Sequence, residues 1–70
     1  MNWIETPEST SIARFTYEES AKILKVEFKN GGLYHYFDIP QTLFEEMKLA
    51  SSQGQYLAQN IKGHYRYARA

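Results

Sequence analysis

In the stretch from Lys22 to Lys29 apolar and polar residues alternate from Leu24 onward. Leu24, Val26 and Phe28 share one side, and Lys25, Glu27 and Lys29 share the other. Period two with β-branched and aromatic residues specifies a half-buried strand. Ser11 to Tyr17 alternates in the same way, which predicts Ala13, Phe15 and Tyr17 on one side and Ile12, Arg14 and Thr16 on the other. Glu18-Glu19-Ser20 is the polar turn between them. Asn30-Gly31-Gly32 follows Lys29, and Asn-Gly between alternating runs signals a hairpin, because both residues tolerate positive φ. The returning strand, Leu33 to Asp38, is apolar or aromatic on both faces.

The turn length decides which way that strand faces. A two-residue Asn30-Gly31 loop sets Phe28 opposite Leu33, puts His35 beside Leu24 and Val26, and turns Tyr34 and Tyr36 to the other face. A three-residue loop, Lys29 to Gly31 with Gly31 left-handed, sets Val26 opposite Tyr34 and Leu24 opposite Tyr36. A slip of one residue exchanges the faces. The longer loop is preferred, because it leaves a histidine rather than two tyrosines away from the aliphatic row.

The period changes at Pro40, whose fixed φ and missing N–H suit a first helical turn. Leu43, Phe44, Met47 and Ala50 then recur at spacings of three and four, an amphipathic helix. Ser52 with Gln55 reads as a capping box opening a second helix, on which Tyr56, Leu57, Ile61 and Tyr65 form the apolar stripe. Gly54 allows a close approach to a neighbour. The predicted class is α+β: a three-stranded antiparallel β-meander at residues 11–17, 22–29 and 32–38, then two α-helices at 40–51 and 53–65 packed on one face. Residues 1–10 read as a lead-in, 11–67 as one domain and 68–70 as a C-terminal tail. Trp3 and Ile4 stand out in the lead-in as residues that pack inward or mark a contact with another chain.

Seventy residues suffice for one domain, and 43% hydrophobic content is too high for disorder. With no cysteine there is neither a disulfide framework nor a thiolate metal site, and the cytoplasm is the expected setting. No apolar run reaches the roughly 20 residues of a membrane span, and the first residues lack the basic start of a signal peptide. His35 and His64 have no partner at metal-ligand spacing. The adjacent pairs Glu18-Glu19 and Glu45-Glu46 diverge, and no serine sits in a nucleophile elbow. The expectation is a non-enzymatic domain without metal or cofactor.

Zero net charge conceals an asymmetry. All eight acids and four bases precede Lys48, a balance of −4, whereas Lys48, Lys62, Arg66 and Arg69 follow without an acid, a balance of +4. Cations near a helix C-terminus suit its dipole. Interleaved with aromatic residues, as in Lys62-Gly63-His64-Tyr65-Arg66-Tyr67-Ala68-Arg69, they also suit phosphates and bases. The candidate nucleic-acid contacts are Lys62, His64, Arg66, Tyr67 and Arg69, on a last helical turn and the tail. Tyr34 and Tyr36 are either stacking residues or core aromatics, according to the register. The alternative to RNA is a protein partner or a second copy of the chain, met through Trp3 or a sheet edge.

The chain resembles the KTSC domain family from Ser11 to about Tyr65. The matching elements are Ser11-Ile12, Tyr17, Val26-x-Phe28 with its glycine turn, Tyr34-x-Tyr36, Ile39-Pro40, Ala50, Ser52-x-Gly54-x-Tyr56, Ile61-Lys62 and Tyr65. Isoleucine stands at position 39 where such sequences often carry valine. The family occurs alone in bacterial proteins and at the C-terminus of some lysyl-tRNA synthetases. The resemblance therefore implies a small bacterial binding module and, by analogy with the synthetases, RNA as its ligand. The polar residue between the two tyrosines implies that Tyr34 and Tyr36 face the core.

Overall fold

A computed structural model of the chain describes residues 2–70 and has the α+β class, with five strands where the sequence pattern predicts three. Strands β1 (Ile4–Glu5), β2 (Ile12–Glu18), β3 (Ile23–Phe28) and β4 (Leu33–Tyr36) come first. Helices α1 (Gln41–Leu49) and α2 (Gln53–Asn60) follow, and β5 (Tyr67–Arg69) closes the chain. All neighbours are antiparallel, and the sheet order is the chain order. The order is therefore not β-β-β-α-α: a strand precedes the meander and another returns to its far edge after the helices.

The β3–β4 turn has the longer loop. Leu24 lies opposite Tyr36 and Val26 opposite Tyr34, and Gly31 takes a φ of +97°, which costs a glycine little. Tyr36 is thereby 2% exposed on the core face, with Tyr34 half-buried beside it. His35 lies opposite Lys25 on the other face.

Strand β2 departs from simple alternation. Ile12, expected on the far side from Phe15, is buried with it. Ile12 pairs with Phe28 and Arg14 with Glu27, so Ala13 is an extra residue, a β-bulge that shifts the pleat by one. Thr6 holds this bulge. Its N–H donates to the Ala13 carbonyl at 3.1 Å and its hydroxyl to the Ile12 carbonyl at 2.6 Å. The same segment brings Ile4 opposite Phe15 as β1. Trp3 packs within the chain, beneath the Arg14 guanidinium at 4.5 Å.

Pro40 is the cap of α1 rather than its first residue. The Ser52 hydroxyl accepts from the Gln55 N–H at 3.2 Å, as the capping pattern predicts. Helix α2 stops at Asn60 instead of running to residue 65, because the chain turns back at Gly63, where φ is +84°. Ile61 is still buried, and Tyr65 still packs on the core. The helices cover the face of Ile12, Phe15, Leu24, Val26 and Tyr36, together with Ile39, Met47, Leu57 and Ile61. Phe44 meets Phe15 edge-on at 5.9 Å and stacks on Tyr17 at 5.0 Å. Each fully buried aliphatic side chain here contributes about 1.5–3 kcal/mol over leaving it in water.

Candidate functional site

Strand β5 builds the site. The segment after α2 is not a tail: the Phe37 N–H donates to the Arg66 carbonyl at 2.9 Å, and the next three residues pair with β4. Tyr67 lies opposite Tyr36, Ala68 opposite His35 and Arg69 opposite Tyr34. Strand alternation then sorts the basic and aromatic residues. Tyr67 and Arg69 fall on the core face, beyond the end of α2, whereas Arg66 falls on the opposite face.

On the core face a depression of about 400 Å³ is lined by Phe28, Asn30, Tyr34, Tyr36, Lys62, Gly63 and Tyr67. Three tyrosine rings form a triangle there. The centroid distances are 6.4 Å for Tyr34–Tyr36, 5.8 Å for Tyr34–Tyr67 and 6.0 Å for Tyr36–Tyr67. Phe28 adds an edge-on contact to Tyr34 at 5.5 Å. Tyr67 is 59% exposed, so the triangle opens to solvent on that side. Two cations sit on the aromatic floor: Lys62 Nζ lies 5.6 Å from the Phe28 ring centre and the Arg69 guanidinium 5.9 Å from that of Tyr34. No carboxylate is among the lining residues.

Burial, and secondarily the neighbouring Tyr34 and Tyr67, raise the Tyr36 phenol above its ordinary range, so it stays protonated at neutral pH. Asn30 Oδ1 accepts the Gly32 N–H at 2.9 Å, which orients the Asn30 amide at the rim. A second groove of about 470 Å³ runs from the first toward Ser11, Lys29 and Gly54, and the two share Phe28, Asn30 and Lys62.

Of the residues singled out from the sequence, Lys62, Tyr67, Arg69, Tyr34 and Tyr36 come together here. Arg66 does not: its guanidinium lies over Phe37 at 5.0 Å and 3.9 Å from Asp38. His64 is exposed in the turn after α2. Lys25 is on the helix-free face, 3.3 Å from Glu18, and Lys29 Nζ donates to the Pro7 carbonyl at 3.1 Å. Phe28, Asn30 and Gly63 are the lining residues absent from the candidates drawn from the sequence. The alternation of β3 and the preferred turn already put Phe28 on the face of Tyr34 and Tyr36. Among the described residues no three His, Asp or Glu side chains converge.

The model of the KTSC domain family matches residues 8–65. A lysine–tRNA ligase of Trichormus variabilis is 41% identical over 61 residues, which are 87% of this chain and 11% of the ligase. The chain thus spans about a tenth of the ligases it matches. An uncharacterized protein of Stutzerimonas stutzeri is 36% identical over 63 residues, 89% of each chain. The crystal structure of a KTSC domain protein from Yersinia pestis has the same fold, with a TM-score of 0.92 over 99% of this chain and 96% of that one, at 22% identity.

Proposed function

This chain belongs to the KTSC domain family, and on that premise we propose that it is a small non-enzymatic module that binds single-stranded RNA. The observation that carries the reading is the delivery of Tyr67 and Arg69 by β5 onto Tyr34 and Tyr36, with Lys62 across from them. Aromatic faces beside unopposed cations suit a base and its phosphate, and stacking on a tyrosine is indifferent to sequence. A cationic ligand such as a methylated amine suits the pocket less well, because Lys62 and Arg69 already lie over its rings. The second groove gives a strand a route onward past Lys62.

The ligase relatives act on a tRNA, as their name states, and an accessory RNA contact fits such an enzyme. The chain has no cysteine, and among the described residues no helix is long and apolar enough to cross a membrane; a bacterial cytoplasm is the setting that goes with this proposal. Titration with short unstructured RNA at several salt concentrations tests the reading. Two phosphate contacts give a slope of about −1.4 in log affinity against log salt, and Lys62→Ala with Arg69→Ala flattens it. Salt-independent behaviour with a mass that rises with protein concentration would instead favour a homodimer through an open sheet edge.

A further inference from the structure

Resting on that RNA reading, we propose that the site is two nucleotides long: one unit sits in the tyrosine triangle, its neighbour in the groove beside Gly54, and the phosphate that joins them on Lys62. The two depressions hold about 400 and 470 Å³. Each is large enough to seat one small-molecule unit, since such pockets run from about 300 to 1,000 Å³. They are continuous, because Phe28, Asn30 and Lys62 line both. Lys62 Nζ lies over the Phe28 ring, at this join. Two further cations belong to one groove each. Arg69 stands over Tyr34 in the first, and Lys29 lines the second.

Charge favours a polyanion along the whole path. No carboxylate lines either groove, and none of Lys29, Lys62 and Arg69 is paired with one among the described residues. Lys29 Nζ gives one N–H to the Pro7 carbonyl, and an ammonium has two more to donate. The two seats differ in chemistry. The first offers the tyrosine rings, open to solvent at Tyr67, which suit a stacked base. The second offers the aliphatic side chains of Leu57 and Ala58 and the exposed hydroxyls of Thr10 and Ser11. Hydroxyls that both donate and accept suit those of a ribose. Three cations in the order Arg69, Lys62, Lys29 thus match the three phosphates that flank and join two nucleotides.

Affinities of the whole chain for uridine and for oligouridylates of two to six nucleotides, each carrying a phosphate at both ends, test the length. Affinity should rise at least about tenfold from one nucleotide to two, the worth of one charge-assisted hydrogen bond. From two to six it should grow only in proportion to the number of registers on the strand. At six nucleotides three phosphate contacts should steepen the salt slope from about −1.4 to about −2.1. Lys29→Gln removes the charge, keeps an N–H donor, and should return the slope to about −1.4. Ala58 is exposed on α2, where leucine is a good helix former. Ala58→Leu fills the second groove, so it should abolish the gain from the second nucleotide and leave the affinity for the first unchanged. Equal affinity for one and two nucleotides, a gain that survives Ala58→Leu, or a slope insensitive to Lys29→Gln overturns the two-nucleotide site while leaving salt-dependent RNA binding in place. Binding by none of the ligands overturns both.

Discussion

Tyr36 and Tyr67 stand opposite one another across β4 and β5, their rings 6.0 Å apart, the first 2% exposed and the second 59%. One ring belongs to the core and the other to the surface, so the pocket can be emptied from outside. Tyr67→Ala should cost the fold at most about 1 kcal/mol, the worth of a cross-strand pair. It should weaken RNA binding by about 1–3 kcal/mol if one base stacks there. Denaturant titration and RNA affinity measured on the same variant separate the two effects.

Thr6→Val tests the clamp on the β2 bulge. The residue is 6% exposed and its hydroxyl serves the Ile12 carbonyl. An isosteric methyl removes that hydrogen bond, which should cost about 0.5–1.5 kcal/mol. Equilibrium unfolding checks the value, and a loss of slow amide exchange along β1 and β2 locates it.

Much of this architecture is legible in the residues, and the gaps have physical causes. The β3–β4 register follows from Asn30-Gly31 and from the choice between burying one histidine or two tyrosines. The bulge at Ala13 is not legible, because it is fixed by Thr6, a residue outside the alternating run. Strands β1 and β5 are two and three residues long, too short to display a period, and they form only because a longer strand is there to pair with. Reading Lys62 to Arg69 as one basic segment finds most of the site but cannot sort it. The turn at Gly63 and the pairing of Arg69 with Tyr34 are what send Arg69 to the pocket and Arg66 away from it.

Gly54 and Ser11 are coupled. A Cβ at position 54 would lie 2.6 Å from Ser11 Oγ, but no nearer than 3.8 Å to any other side chain. Alanine in a helix is worth up to about 1 kcal/mol over glycine. Gly54→Ala should realise that gain in a Ser11→Ala background and lose most of it when Ser11 is present. A double-mutant cycle on unfolding free energy should therefore give a coupling of at least about 0.5 kcal/mol.

Tyr56 links stability to high pH. Burial, and then its hydrogen bond to Glu46 at 2.6 Å, push its phenol up to about 12 from an ordinary 10.0. A folded value above the unfolded one means that the fold favours the protonated phenol. The contribution is complete below pH 10 and disappears as pH rises through 12. Wild-type stability should thus fall more steeply than that of Tyr56→Phe over this window, and denaturation at a series of alkaline pH values checks it.

Chemical-shift mapping with an unstructured RNA oligomer tests the central claim most directly. The account predicts perturbations at Phe28, Asn30, Tyr34, Tyr36, Lys62, Tyr67 and Arg69 that fade as salt is raised. Perturbations confined to the helix-free face, at Arg14, Lys25, Glu27 and His35, or none at all, would contradict it.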